Sequence, residues 1–296
     1  MFNYVCYMMK KLLVFLFLIL VIAVFALQFQ PVKQTVAAVI TKPTYLNKGG
    51  ATIKERVKVP NNYKRVVYDS TSFQYYIRHQ NLKNYGAKVI NYDGEPYFYQ
   101  LGHLGVLDID VPSNGLQQCA DALIRLRSEY LWETNQKSKI GFEFTSGHYC
   151  SWNKYAEGYR PKVNGNKVTF HKTASSNHSK INFYNYLNLI YTYSGTMSLN
   201  NELKEITSIK DLKIGDMLIV GGFPGHVIMI ADIVENEAGE RRFLLIQGNT
   251  PAQSIHLLKN LDDTSISPWY KLQLNSEISV PGFTFTNSKF VRFIDE

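Results

Sequence analysis

The sequence has few cysteines, no cluster of basic residues and no repeated or low-complexity segment. Three cysteines occur in 296 residues, so the chain can close at most one internal disulfide. The net charge is +8, but the lysines and arginines are scattered singly, which excludes a basic nucleic-acid-binding motif and favours an anionic envelope polymer as partner. No second pair with zinc-ligand spacing accompanies His148 and Cys150, so we expect no metal site and no cofactor.

A hydrophobic run marks the N-terminus. Lys10 and Lys11 precede uninterrupted apolar residues over 12–27, which is the pattern of an export signal. We interpret residues 1–26 as a signal peptide cleaved after Ala26 or as an uncleaved N-terminal membrane anchor, although the run is shorter than the about 20 residues that span a bilayer. The chain is therefore expected to be exported to the periplasm or the cell exterior.

A folded domain is expected to follow this segment. Residues 27–58 lack sustained periodicity and are interpreted as a tether, and residues 59–296 as a single α+β domain. Residues 59–112 are predicted to form a β-rich lead-in, and residues 113–296 the core, in which helices precede a meander of antiparallel strands. The predicted core elements are helices near 116–130 and 182–193, a loop-rich segment over 142–180, and strands at 217–220, 226–234 and 242–247.

Cys119 lies where the clearest helix begins. After the capping sequence Ser113-Asn114-Gly115, apolar residues recur at intervals of three and four: Leu116, Cys119, Leu123, Leu126 and Tyr130. At a helix start the macrodipole and the free N–H groups favour a thiolate, so Cys119 is a candidate nucleophile. Two alternatives stay open: a small buried hydrophobic residue on the apolar face, and one half of a disulfide with Cys150.

His226 is predicted to lie at the start of a buried strand, directly after a glycine. The strand 242–247 is expected to pair with 226–234 as a hairpin, which returns its polar end, Gln247, to the side of the imidazole. A side-chain amide there can orient the imidazole through a hydrogen bond without adding charge. The alternative for His226 is a structural histidine whose hydrogen bonds are satisfied at a strand end. The alternative for the polar segment after the strand is a simple turn over residues 248–251.

A cysteine that heads a helix, a Gly-His that opens a strand and a polar pair at the end of the next strand together resemble the NlpC-type and CHAP-type cell-wall hydrolases, which share a papain-like core. The resemblance implies that Cys119 is the nucleophile, His226 the base and Gln247 the residue that orients the imidazole. CHAP-type enzymes commonly carry Glu and Asn two residues apart at this place. Gln247 and Asn249 match that spacing with an amide in place of the acid, and Gln118 stands where an Asp usually precedes the nucleophile.

Longer stretches resemble an exported bacterial family of unknown function over roughly residues 55–293. These stretches are Gln117-Gln118-Cys119-Ala120-Asp121-Ala122, Arg125-Leu126-Arg127, Glu129-Tyr130-Leu131, Gly158-Tyr159-Arg160-Pro161 and Pro251-Ala252-Gln253. This second resemblance implies no activity.

Four residues are predicted to bind substrate: Gln118, Asn249, Arg160 and Trp152. An arginine can hold a carboxylate through two hydrogen bonds, and the tryptophan lies in an aromatic-rich polar segment suited to lining a groove. We therefore expect an exported cysteine hydrolase that cleaves an amide bond in cell-wall peptide, in which Gln247→Glu preserves or raises turnover. Two alternatives stay open: a non-catalytic envelope-binding protein with the same fold, and a thiol acyltransferase.

Overall fold

The computed structural model describes residues 15–16, 30–40 and 44–294. The chain divides into two compact units, residues 1–42 and residues 43–296. In the first unit, helix α1 spans Gln30–Ile40, within the stretch interpreted as a tether. The export signal predicted for residues 1–26 lies, apart from two residues, outside the described ranges. Within those ranges, no helix combines the length and the apolar character needed to cross a membrane.

The second unit is a mixed α+β domain, which confirms the predicted class. Its helices are α2 (Ile53–Arg56), α3 (Phe73–Arg78), α4 (Cys119–Glu133), α5 (Trp152–Ala156), α6 (Lys180–Tyr193) and α7 (Thr196–Glu202). Its strands are β1 (Tyr63–Arg65), β2 (His103–Val106), β3 (Gly141–Glu143), β4 (Tyr149–Ser151), β5 (Tyr159–Asn164), β6 (Lys167–Lys172), β7 (Lys204–Ile206), β8 (Met217–Val220), β9 (His226–Asn236), β10 (Arg241–Gln247), β11 (His256–Leu258), β12 (Ile278–Val280), β13 (Phe283–Phe285) and β14 (Lys289–Arg292).

One eight-stranded sheet forms the centre of this unit. Its strand order is β2-β11-β10-β9-β8-β14-β7, with β1 also paired to β9, and its pairings are antiparallel. The first nine residues of β9 are all buried. Because successive side chains point to opposite faces, both faces of the sheet are covered at this strand. Helices α3 and α4 pack against β9.

Two helices and three strands of the predicted core are confirmed. The helices expected near 116–130 and 182–193 correspond to α4 and α6, and the three expected strands correspond to β8, β9 and β10. The segment expected to be loop-rich instead contains α5 and two short hairpins, β3–β4 and β5–β6. Strands of three to six residues are too short to leave a periodic pattern that stands out from loop sequence.

The folded unit reaches back before residue 59, into the stretch interpreted as a tether. Ile53 is the first residue of α2 and Val57 directly follows the helix. Both side chains are fully buried. That helix has only four residues, so its sequence carries no detectable periodicity. The lead-in is also less β-rich than predicted, because it contains helix α3 and only the short strands β1 and β2.

A buried carboxylate ties the lead-in to β9. Asp232 lies within β9 and is fully buried. It accepts hydrogen bonds from Arg65 Nε at 2.7 Å and from Arg78 Nε at 2.6 Å, and these two arginines belong to β1 and α3. The shared carboxylate therefore holds both elements against the strand whose first residue is His226.

Candidate functional site

Cys119 is the first residue of α4, and side chains hold the turn before it. The N-cap residue, Gln118, donates its N–H to the carboxylate of Asp121 at 3.0 Å, which is one half of a capping box. Just upstream, Gln117 Oε1 accepts a hydrogen bond from Arg125 Nη1 at 2.8 Å. These contacts fix the backbone from which the cysteine projects.

The end of β10 lies directly against this helix start. A Cβ atom placed on Gly248 would lie 2.7 Å from Ala122 Cβ and 3.7 Å from Cys119 Cα, so only glycine allows so close an approach. Beside it, Thr250 Oγ1 donates to Gln118 Oε1 at 3.0 Å. The tertiary fold thus brings the strand that carries Gln247 to the helix that carries the cysteine.

The Cys119 thiol is buried and neutral. The residue is 8 % exposed, and burial, together with the Asp121 carboxylate, raises the pKa of the thiol to about 11. The nearby backbone amides of Ala120, Val227 and Cys119 itself favour the thiolate and act on the pKa in the opposite direction. The prediction of a favoured thiolate is wrong for this state, because lost solvation outweighs the helix N-terminus. Val227, whose backbone amide acts on the thiol, directly follows His226 in the chain.

His226, the first residue of β9, is hydrogen-bonded to Gln247. The antiparallel register pairs Ile246 with Met229, which puts the two polar side chains on the same face of neighbouring strands. His226 Nε2 lies 2.9 Å from Gln247 Oε1, and an amide oxygen only accepts, so Nε2 carries the proton. Burial lowers the pKa of His226, and the hydrogen bond that the ring donates to Gln247 opposes that shift. The imidazole is therefore neutral, with Nδ1 unprotonated.

Residues that the sequence analysis does not identify complete the surroundings of the imidazole. The ring centroids of Phe283 and Phe285, on β13, lie 4.9 Å and 5.7 Å from that of His226. On the neighbouring strand β11, His256 pairs with Gln247 in the register of the sheet. The available signal for His256 was a single histidine in an otherwise apolar run, and that pattern alone does not indicate a site.

Two of the four residues predicted to bind substrate lie beside this region. Gln118 is exposed at the helix start. Asn249, two residues beyond Gln247, is half-buried, and its Oδ1 accepts the N–H of Thr250 at 2.8 Å. Their role as substrate contacts stays a prediction.

Trp152 and Arg160 belong to a different part of the domain. Trp152 is 1 % exposed, and its ring packs against those of Trp132, Tyr155, His178, Phe183 and Tyr186. Arg160 lies over the Tyr155 ring at 3.6 Å and donates to the carbonyl groups of Tyr155 and Tyr159. The assignment of Trp152 to a substrate groove is corrected, because a fully buried indole cannot line an open surface. Arg160 is half-buried, and its role as a substrate contact stays a prediction.

The two cysteines of the domain are not joined. Cys119 and Cys150 are both free thiols. Cys150 is buried in β4, and burial raises the pKa of its thiol to about 12. Across the described residues, no group of three or more histidine, cysteine, aspartate or glutamate side chains is arranged to hold a metal ion.

Comparison with known proteins shows a family without assigning an activity. No curated protein and no solved structure is significantly similar to the chain. The family described as Domain of unknown function (4846) matches residues 53–292, a range that runs from the first residue of α2 to the last residue of β14. Because the match covers most of the chain and the whole sheet, this chain belongs to the Domain of unknown function (4846) family.

Proposed function

We propose that this protein is an exported cysteine hydrolase with a papain-like core, which cleaves an amide bond in cell-wall peptide. The hydrogen bond of 2.9 Å between His226 Nε2 and Gln247 Oε1 carries the proposal, because it leaves Nδ1 of the imidazole able to accept a proton. The nucleophile would be Cys119, whose thiol pKa is lowered in part by the backbone amide of Val227, the neighbour of His226 in the chain.

In the proposed reaction, the Cys119 sulfur attacks the amide carbonyl carbon while His226 Nδ1 takes the thiol proton. The C–N bond then breaks, the imidazolium returns the proton to the leaving amine, and a thioester remains. Water attacks this thioester with His226 again accepting a proton, which passes to the departing sulfur, so that a carboxylic acid leaves and the thiol is restored. Because the pKa of the thiol is raised to about 11, proton transfer accompanies the attack on the carbonyl.

One observation favours a second candidate, a non-catalytic envelope-binding protein with the same fold. Cys119 is 8 % exposed and His226 is 3 % exposed. A peptide carbonyl reaches the sulfur only after neighbouring side chains move. A binding protein has no need for such access.

Turnover by variants of the full-length protein separates the two candidates. Purified wild-type protein is incubated with soluble cell-wall peptides, and newly formed amines and product masses are measured. Cys119→Ala should abolish release, and His226→Ala should lower it by about 100-fold or more. Cys150→Ala is the matched control, because it removes a second buried free thiol and should leave release unchanged.

Equal background release by wild type and Cys119→Ala would contradict the hydrolase proposal. If both proteins then sediment with insoluble cell wall to the same extent, the binding protein becomes the better description. Circular dichroism of each variant establishes that lost activity does not reflect unfolding.

A further inference from the structure

A row of polar side chains continues from the proposed site across the sheet. His226, Gln247 and His256 lie on the adjacent strands β9, β10 and β11, and each is at most 4 % exposed. We propose that His256 is a positioning residue that orients the Gln247 amide and so keeps the proton of His226 on Nε2. The carbonyl of Pro281 contacts the same amide, and the carbonyl of Ser254 holds the His256 ring. The catalytic meaning of this inference rests on the proposed function, whereas the placement of the proton does not.

The carbonyl of Ser254, beyond His256, sets the direction in which the hydrogen bonds of this row are donated. His256 Nδ1 lies 2.9 Å from that oxygen, which can only accept, so Nδ1 carries a proton. His256 is buried, and burial lowers its pKa to about 4. The ring is therefore neutral near pH 7, and its Nε2 presents a lone pair.

The amide of Gln247 meets this lone pair with its nitrogen. Gln247 Nε2 donates to His256 Nε2 at 3.2 Å and to the carbonyl of Pro281 at 3.4 Å. Both partners are acceptors, so the two N–H groups of the amide are matched to them. Rotating the amide by half a turn would set its oxygen against a carbonyl oxygen and a ring lone pair, and would leave buried acceptors unpaired.

The orientation of the amide in turn decides the tautomer of His226. With the nitrogen directed at His256 and Pro281, Gln247 Oε1 faces His226 Nε2 at 2.9 Å. The N–H of His226 then lies on Nε2, and Nδ1 is the basic nitrogen. All three hydrogen bonds donate in one direction, from His226 through Gln247 and His256 to Ser254. The opposite direction would put a proton on Nδ1 and remove the base from the proposed reaction.

Nitrogen NMR of the full-length protein with 15N-labelled histidine tests this placement. The resonances of His226 are assigned by their loss in His226→Gln. In the wild type we expect the proton on Nε2 of His226 and on Nδ1 of His256. His256→Phe keeps a ring but removes the acceptor, so the His226 signal should shift toward a mixture of tautomers and kcat should fall by about 10- to 100-fold, with KM little changed.

Two further variants provide controls. His256→Gln supplies an amide that can accept from Gln247 and donate to Ser254, and it should restore both the tautomer and most of the turnover. His103→Phe alters the neighbouring histidine, whose ring centroid lies 6.0 Å from that of His256 but which bonds Gln100 instead. It should leave the His226 signal unchanged.

A wild-type spectrum with the His226 proton on Nδ1 would overturn the inference. So would a folded His256→Phe variant with unchanged tautomer and kcat. If His256→Phe does not fold, the wild-type spectrum alone decides. The expected tautomers in a protein that releases no product would support the hydrogen-bond direction and count against the proposed function only.

Discussion

At the scale of single residues, burial controls the reactivity of Cys119. Its thiol pKa is raised to about 11, so alkylation by iodoacetamide should be slower than for a free peptide thiol at neutral pH. The rate should rise about tenfold per pH unit between about pH 6 and pH 9, because only the thiolate reacts. Mass mapping of tryptic peptides after timed alkylation measures the rate at each pH.

Cys150 serves as the control for this experiment, because burial raises the pKa of its thiol as well, to about 12. In urea both cysteines should react at the rate of a free thiol. Faster alkylation of Cys119 at mildly acidic pH would indicate a preformed thiolate–imidazolium pair and would contradict the neutral thiol.

Gln247→Glu is the substitution for which structure reverses the expectation from sequence. The sequence predicts preserved or raised turnover. In the fold, position 247 is 1 % exposed, and the amide nitrogen faces the Pro281 carbonyl at 3.4 Å and the lone pair of His256 at 3.2 Å. A carboxylate oxygen there meets two acceptors, so we expect lower turnover and an unfolding free energy reduced by about 1–3 kcal/mol. Urea denaturation measures the stability.

Asn249→Asp makes the same exchange of amide for acid at a half-buried position on the same strand end. It should change the unfolding free energy much less. A Gln247→Glu variant as stable and as active as wild type would mean that the amide nitrogen makes no essential contact.

At the scale of elements, the contact between β10 and α4 depends on Gly248. Adding a methyl group places it 2.7 Å from Ala122 Cβ and 3.2 Å from the Gln118 carbonyl, so the strand end must move away from the helix. We expect Gly248→Ala to lower the unfolding free energy by about 1–3 kcal/mol and to reduce turnover. Gly49→Ala is the control, since its methyl group would meet only ordinary contacts; equal stability of the two variants would show that the contact is loose.

The attachment of β1 and α3 to β9 depends on Asp232. Asp232→Asn should lower the unfolding free energy by about 3–5 kcal/mol, because Arg65 and Arg78 lose a fully buried counter-charge. Glu235 lies on the same strand as Asp232, and its carboxylate, paired with Arg241 of β10, is 41 % exposed. Glu235→Gln breaks this pair and should change the unfolding free energy by less than about 1 kcal/mol. Chemical denaturation compares the two variants, and similar losses would mean that the buried pair contributes no more than the exposed one.

At the scale of the whole molecule, a buried acid links stability to pH. Burial raises the pKa of Asp121 from 3.8 to about 7, so the folded state holds a proton that the unfolded chain releases. Its contribution is present below about pH 4 and is lost as pH rises toward 7. Asp121→Asn cannot ionise, so its stability relative to wild type should grow by about 2–4 kcal/mol between pH 4 and pH 8. Urea denaturation over this range measures the difference in unfolding free energy between the variant and the wild type. A difference that is constant with pH would mean that the Asp121 carboxyl is solvated in the folded state.

The sequence predicted the larger elements well and the small ones poorly. Helix α4 and strands β8, β9 and β10 carry periodic or continuous apolar patterns, and their positions follow from neighbouring residues alone. Helix α2 and the β12–β13 hairpin have too few residues for such a pattern. Trp152 shows the same limit for the site: its polar neighbours suggested a groove, whereas rings from α4 and α6 enclose it.

The sequence by itself determined where the site residues lie within their elements: Cys119 at a helix start, His226 at a strand start and Gln247 at the end of the paired strand. Capping, periodicity and hairpin pairing act between residues close in the chain, so these positions are readable locally. Only the tertiary structure decided their protonation. The neutral thiol follows from burial beneath distant segments, and the direction of the Gln247 amide follows from carbonyls at Ser254 and Pro281. Solvation and hydrogen-bond direction depend on neighbours in space, which no local pattern encodes.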